Sequence, residues 1–335
     1  MRTRGILSGP TPWLVLAVVL CGGAALAHGD VSLHVGQAVA DLWAGRRSAG
    51  AIILGELRLP RLLLAVFVGG TLGVSGAVLQ AYFRNPLADS GVLGISGGGA
   101  LGAVLVYYTG LSARVPLAMP GAGLLGALGA TASLLALSGV RAGPGLLVLA
   151  GAALSSLFAS LLALTLNLVP SPYAAYEVMH WLMGSLTDRT LHDVAIAAPG
   201  IALGLALLFA SGPALDALTL GDEVATSMGA VRSGPFGTQT RIVLGVALSV
   251  GSAVAVTGTI GFVGLMVPHL LRAQTGNVPS RLLVPSFFGG ALLLLIADWL
   301  TRLIGGATVQ IGVVTALVGA PVFLWQVLRL RRSAL

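Results

Sequence analysis

The side chains able to do chemistry are few and unevenly spread. Gly94-Ile95-Ser96-Gly97 matches Gly-x-Ser-Gly, with His269 as a candidate base; serine catalysis needs hydroxyl and base within hydrogen-bond reach. In a chain with 48 glycines, a four-residue match carries little weight. His269 follows Pro268 at the end of an apolar run, where a hydrogen-bonded end-cap is a commoner role than a proton carrier. Asp298 and Glu177 lie nearest to apolar runs, both close to run ends, and ion coupling in a bilayer needs ionisable groups inside it. All 18 basic residues are Arg. Without Lys the chain cannot build a nucleotide-binding phosphate loop or a Schiff base. A single cysteine, Cys21, excludes an intrachain disulfide and a cysteine metal cluster.

Polar segments between the apolar runs are more specific. Arg84-Asn85-Pro86-Leu87-Ala88-Asp89 reads as a tight break, because Pro86 holds Asn85 extended and ends the helix before it. It is either an Asn/Asp-capped turn or a gate where two Gly-rich helices meet the cytoplasm. Leu220-Gly221-Asp222-Glu223-Val224-Ala225-Thr226-Ser227-Met228-Gly229 predicts a short helix. Its acids suit a first turn, where the macrodipole favours them, and Gly229 suits a cap. This segment is the best candidate for a docking element. Arg58-Leu59-Pro60-Arg61 and Arg302 fall on the predicted outer side and call for an acidic partner or a lipid phosphate. A short amphipathic helix over Tyr173–Leu186, entered through Pro170 and Pro172, carries Tyr176, His180 and Trp181 toward a possible outer vestibule.

The elements that must position these residues follow from composition. The chain has 335 residues, 56% hydrophobic and 9% charged, with mean hydropathy +0.97. A soluble domain is roughly a quarter charged, so water-soluble and disordered classes go out. A bilayer-spanning helix needs ~20 apolar residues. Ten runs meet that need in whole or part: Trp13–Ala27, Leu62–Gln80, Gly91–Tyr108, Leu117–Val140, Gly145–Val169, Val194–Ser211, Ile242–Thr257, Ile260–Leu271, Leu282–Leu300 and Ile311–Leu328. The expected fold is an all-α polytopic membrane protein, one domain over residues 1–335, with a cytoplasmic loop over about 212–236. Gly258 and Pro268 make runs seven and eight a candidate broken helix. Glycines clustered inside runs, such as Gly69-Gly70, Gly73 and Gly76, suit close backbone approach between helices.

Ten crossings put both termini in the cytoplasm, with eleven arginines inside and seven outside, obeying the positive-inside bias. Arg2, Arg4 and Ala25-Leu26-Ala27 also resemble a signal peptide cut after Ala27; the uncleaved anchor is the favoured reading. The net charge of +7 is then membrane topology and implies no nucleic acid.

Arg58 to Gly99, reading RLPRLLLAVFVGGTLGVSGAVLQAYFRNPLADSGVLGISGGG, resembles the permeases of type II ABC importers, the FecCD-type family. LGDEVATSMGA, GTIGFVGLMVPHLLR and GVVTALVGAPVFLW (Gly312–Trp325) resemble the same family in the same order. The resemblance implies a ten-helix permease that takes up an iron–siderophore complex, haem or cobalamin across a bacterial inner membrane. It implies a second permease copy, two separate ATPase subunits that hold the ATP and Mg, and a periplasmic or lipid-anchored substrate-binding protein. No cofactor or metal is expected on this chain. It further implies that Gly221, Asp222, Glu223, Ala225, Met228 and Gly229 form the coupling helix seated on the ATPase. Asn85, Pro86 and Leu87 would narrow the cytoplasmic exit. Arg58, Arg61 and Arg302 would pair with acids on the binding protein, and Tyr173–Leu186 would be the outer gating helix.

An iron chelate is the leading substrate by family frequency, and cobalamin is the alternative. Less favoured classes are an ion-coupled secondary transporter using Asp298 or Glu177, and a rhomboid-like serine protease using Ser96 and His269. Three departures from the family pattern stand out. Thr308-Val309-Gln310 replaces an acidic-Leu-Pro step, Ser90 stands where proline is common, and Pro144-Gly145 occupies a turn that carries small hydroxyl residues in some relatives.

Overall fold

The computed structural model describes residues 9–29, 31–115, 117–139, 143–169, 171–232, 234, 237–305 and 309–333. Arg2, Arg4, Val140, Arg141, Pro170, Thr308 and part of the end of the 212–236 loop lie outside the described residues, and with them the expectations placed there. Every regular element among the described residues is helical. α1 (Thr11–Ala27) is followed by α2 (Val35–Trp43) and α3 (Ala49–Ile52), in a stretch where no helix is predicted. α3 continues through a π-helical turn, Ile53–Arg58, into α4 (Leu59–Phe83). One apolar helical run of 35 residues therefore replaces the expected span Leu62–Gln80.

α5 (Ile95–Tyr108), a single turn α6 (Leu111–Arg114), α7 (Ala118–Ser138) and α8 (Pro144–Leu168) come next. The short α9 (Pro172–Leu182) stops four residues before the predicted end at Leu186. α10 (Leu191–Phe209) starts on a capping box in which Thr190 and Asp193 satisfy each other's backbone N–H. α11 (Gly212–Leu218) and α12 (Asp222–Ser227) fill the long loop ahead of α13 (Thr238–Thr257). α14 (Val263–Arg272), α15 (Pro279–Gly305) and α16 (Ile311–Ser333) complete the chain. Among the described residues, six runs are long and apolar enough to cross a membrane, while α1, α5 and the first half of α16 are shorter apolar helices.

Runs seven and eight are two separate helices. The break falls at Gly258 (φ 72°) and Phe262 (φ 68°), both left-handed. Gly258 is required there, since a Cβ would lie 2.1 Å from the Trp181 carbonyl oxygen. The ten residues of α14 reach about 15 Å, half the hydrocarbon thickness, so the non-helical chain before it has to complete any crossing.

α4 and α13 are the most buried long helices, and glycines explain how their neighbours come so close. A Cβ on Gly69 would lie 2.4 Å from the Gly290 oxygen of α15, and one on Gly73 would lie 2.1 Å from Ser286 O. The same four-residue spacing recurs where Gly98 and Gly102 of α5 face Ala122 and Gly126 of α7, and where Gly200 and Gly204 of α10 face α13. In lipid, helix pairing gains little from hydrophobic burial, so van der Waals contact at small residues has to supply it. Gly290→Ala, whose Cβ would sit 2.0 Å from Gly69 O, is expected to cost about 1–3 kcal/mol, read as a lower unfolding midpoint in detergent. Gly129→Ala, with nothing within 4 Å of its Cβ, should be neutral or slightly stabilising. Equal effects at the two sites would refute the seam.

Candidate functional site

α12 and the turn after α4 meet at one end of the bundle. Gly221 precedes α12 with φ 108°, a backbone open to glycine, and Asp222 and Glu223 occupy its first turn. At the other end Gly229 is left-handed (φ 67°), and the Ala225 carbonyl accepts the N–H groups of Ala230 and Val231. The expected helix and its glycine cap are therefore present. Ala225 is fully buried, whereas Leu220, Val224 and Met228 are exposed. α12 thus offers an apolar and acidic outer face on a buried footing.

The turn Arg84–Asp89 begins with Arg84 in left-handed conformation (φ 49°) as the C-cap of α4. Asn85 Oδ1 accepts from Leu87 N at 2.9 Å, and Asn85 O accepts from Ala88 N at 3.1 Å. Asn85 and Pro86 are half-buried and Leu87 is exposed. The Asn-capped turn of the two sequence readings is therefore present, and Leu87 is the side chain it leaves free to project. Arg84 joins this turn to α12, with Nη2 donating to Asp222 Oδ1 at 2.6 Å and to Leu218 O at 2.9 Å. Nothing local in the sequence signals that pairing.

Ser90, the departure from proline, has an active backbone donor. Its N–H and Oγ both donate to Asp89 Oδ1. Burial nevertheless pushes the Asp89 carboxyl above the usual carboxylate range, outweighing those two hydrogen bonds. Ser96 Oγ donates to Ser90 Oγ at 3.3 Å, so its hydrogen bond goes to a hydroxyl. That is a poor start for a nucleophile, which needs a base.

At the opposite end the outer arginines, expected to call for an acidic partner or a lipid phosphate, find partners within the chain. Arg58 is 6% exposed and donates to Leu26 O and Ala27 O, capping the last carbonyls of α1, and to Val31 O in the chain beyond it. Arg61 Nε donates to Asp298 Oδ1 at 2.7 Å, and Arg302 Nη2 donates to Asp298 Oδ2 at 2.8 Å. Asp298 is 4% exposed. Two cations thus hold one buried carboxylate. Glu177 accepts from Tyr107 Oη at an exposed position. An open pocket of about 230 Å³ is lined by Arg58, Arg61, Arg302 and Arg189, the last a residue not singled out from the sequence, together with one acid, Asp188. Buried Nε atoms of Arg189 and Arg302 have no hydrogen-bond partner among the described residues.

α9 is tied down at its C-terminal end. Leu182 O accepts from Thr259 Oγ1, Met183 O from Gly312 N, and Thr257 O from Ser185 N. Tyr176 is exposed, but His180 and Trp181 are half-buried. Gln310 Nε2 donates to His180 Nε2 at 2.6 Å, so the residue replacing the family's proline fastens α9 to the start of α16. Of the three vestibule candidates Tyr176 is the exposed one, and its ring lies 5.8 Å from that of His180. Beside this junction an open apolar groove of about 660 Å³ lies between the end of α9, the 259–262 segment and α16.

Residues 14–329 match the FecCD transport family. The hemin transport system permease protein HmuU of Yersinia pestis is 40% identical over 287 residues, covering 83% of this chain and 84% of that protein. The vitamin B12 import system permease protein BtuC of Vibrio cholerae is 38% identical over 300 residues, covering 87% and 88%. A solved structure described as an inward-facing metal-chelate type ABC transporter aligns at TM-score 0.82 and 30% identity, covering 95% of this chain and 97% of that one.

Proposed function

Since the chain belongs to the FecCD transport family, we propose that it is the permease of an ATP-driven importer that carries an iron chelate, a ferric siderophore or haem. It is a multi-pass membrane protein of a family of transport permeases, and the conduit is its contribution. The observation that carries the reading is α12, with exposed Leu220, Val224 and Met228 around two acids on a buried base. Such a knob suits a groove on a separate ATPase subunit, which would hold the ATP and Mg that a chain without Lys has no phosphate loop to bind. ATP-driven closure of two such subunits would displace α12 and open or shut the path near Leu87.

Two copies would form the path. The outward faces of α8 (Leu146, Leu149, Leu157, Leu164) and α16 (Val313, Leu317, Leu324) are apolar and exposed in the single chain. A second copy of this chain is the fitting cover. With α12 in the cytoplasm of a bacterial inner membrane, the arginine-lined pocket opens outside. Arg61, Arg302 and Arg189 suit an acidic side chain of a substrate-binding protein, while Arg58 supports the pocket from beneath. Charged pairs at such a rim favour docking rate and register over affinity.

Hemin and metal-chelate relatives favour an iron chelate, whereas the B12 relative, at 38% identity against 40%, keeps cobalamin as the second reading. The test is uptake by proteoliposomes holding the permease, its ATPase and its binding protein, compared across ferric siderophores, haem and cobalamin. ATP-dependent uptake of an iron chelate is the expected result. Uptake of cobalamin alone would move the assignment, and uptake that persists without ATP but collapses with the proton gradient would remove it.

A further inference from the structure

The elbow between α11 and α12 is spanned by one side chain from another part of the chain. Arg84, the residue at which α4 ends, donates through Nη2 to Leu218 O, the last residue of α11, and to Asp222 Oδ1, the first of α12. Between those two acceptors the backbone passes through Gly221 at φ 108°, a conformation that side-chain-bearing residues rarely adopt. A glycine joint lets α12 tilt relative to α11 at little cost. Displacement of α12 would be absorbed at that joint unless a second connection carried it onward. Arg84 is such a connection among the described residues, and it leads into the turn whose Asn85 side chain fixes the position of Leu87.

We infer that Arg84 is the strut that converts movement of α12 into movement of the Arg84–Asp89 turn. The inference rests on the reading that α12 receives force from an ATPase subunit. Arg84 is a positioning residue that would act through Asn85 and Leu87 and touch no substrate. Its ion pair with Asp222 is half-exposed on both sides in the free chain, where water screens such pairs to little net worth. A protein seated on α12 excludes that water and strengthens the pair. The strut is therefore stiff when the engine is docked and soft when it is not, which restricts transmission to the assembled transporter.

The test is a double-mutant cycle in the complete reconstituted transporter with Arg84→Gln, Asp222→Asn and both together. The readout is substrate taken up per ATP hydrolysed, in which changes of expression or assembly divide out. Each single variant should lower that ratio by roughly tenfold, and the double variant should be no worse than the poorer single, because both remove one connection. An unchanged ratio in Arg84→Gln, or losses that multiply in the double variant, would overturn the strut. A second measurement does not depend on transport. Spin labels at Leu87→Cys and Ser227→Cys, in a Cys21→Ala background with the ATPase bound, should show a distance distribution that broadens on Arg84→Gln. An unaltered distribution counts against the strut even if the substrate assignment fails, whereas absent ATP-driven uptake in the unmodified chain counts only against the function.

Discussion

An Asp298→Asn permease should be less stable by about 3–5 kcal/mol, the usual consequence of removing one member of a buried ion pair. Asp298 is 4% exposed, and both of its carboxylate oxygens are occupied, one by Arg61 and one by Arg302. The asparagine still offers one acceptor but no charge, so two guanidinium groups remain against the protein with little water to replace the carboxylate. The loss should appear as a lower midpoint of thermal or SDS unfolding in detergent, with a parallel loss of uptake. Adding Arg302→Gln should recover part of it by removing one of the two stranded cations. An unchanged midpoint would mean that solvent already balances these arginines and that the triad is incidental.

Asp222→Arg/Glu223→Arg should abolish transport-coupled hydrolysis while the chain still folds. Both residues are exposed at the first turn of α12, where reversed charge opposes the macrodipole and faces Arg84 with a like charge. Surface reversals of this kind usually alter global stability within about 0.5 kcal/mol, so the unfolding midpoint separates misfolding from uncoupling. Uptake should fall to the level of liposomes that lack the ATPase, and the stimulation of hydrolysis by loaded binding protein should vanish. Persistent coupling would dismiss α12 as the seat of the engine.

Local signals located the elements that local physics builds. Apolar runs marked all ten principal helices, and acids after Gly221 with Gly229 behind them marked α12 within a residue or two. The stretch 31–57 was less legible. α2 has only nine residues, and Glu56 and Arg58 in the π-turn interrupt the apolar pattern ahead of α4, so the start of the 35-residue run at Ala49 was not marked. Burial of Arg58 and the pairing of Arg61 with Asp298 were not legible, because Arg61 and Asp298 stand 237 residues apart; only the Asp298–Arg302 half, one helical turn apart, lies within local reach. An outward arginine without a local acid looks unpartnered when only its neighbours in sequence are considered. The same distance effect concealed the Arg84–Asp222 pair, 138 residues apart, and the contact of Gln310 with His180. In each case the type of residue was readable and its partner was not.

The fastening of α9 at its C-terminal end limits how that helix can travel. Leu182 is held by the Thr259 hydroxyl, Met183 by the backbone of α16 and Ser185 by that of α13, whereas Tyr173 at the other end is 84% exposed; in mid-helix Val178 is buried while the Tyr107–Glu177 contact is open to water. A rod pinned at one tip sweeps an arc and does not slide. Eleven residues make it about 16 Å long, so a swing of about 15° carries the Tyr173 tip through about 4 Å and leaves Trp181 nearly still. Bulky cargo would find clearance at the tyrosine tip first, and the pivot beside His180 would feel almost none of the excursion.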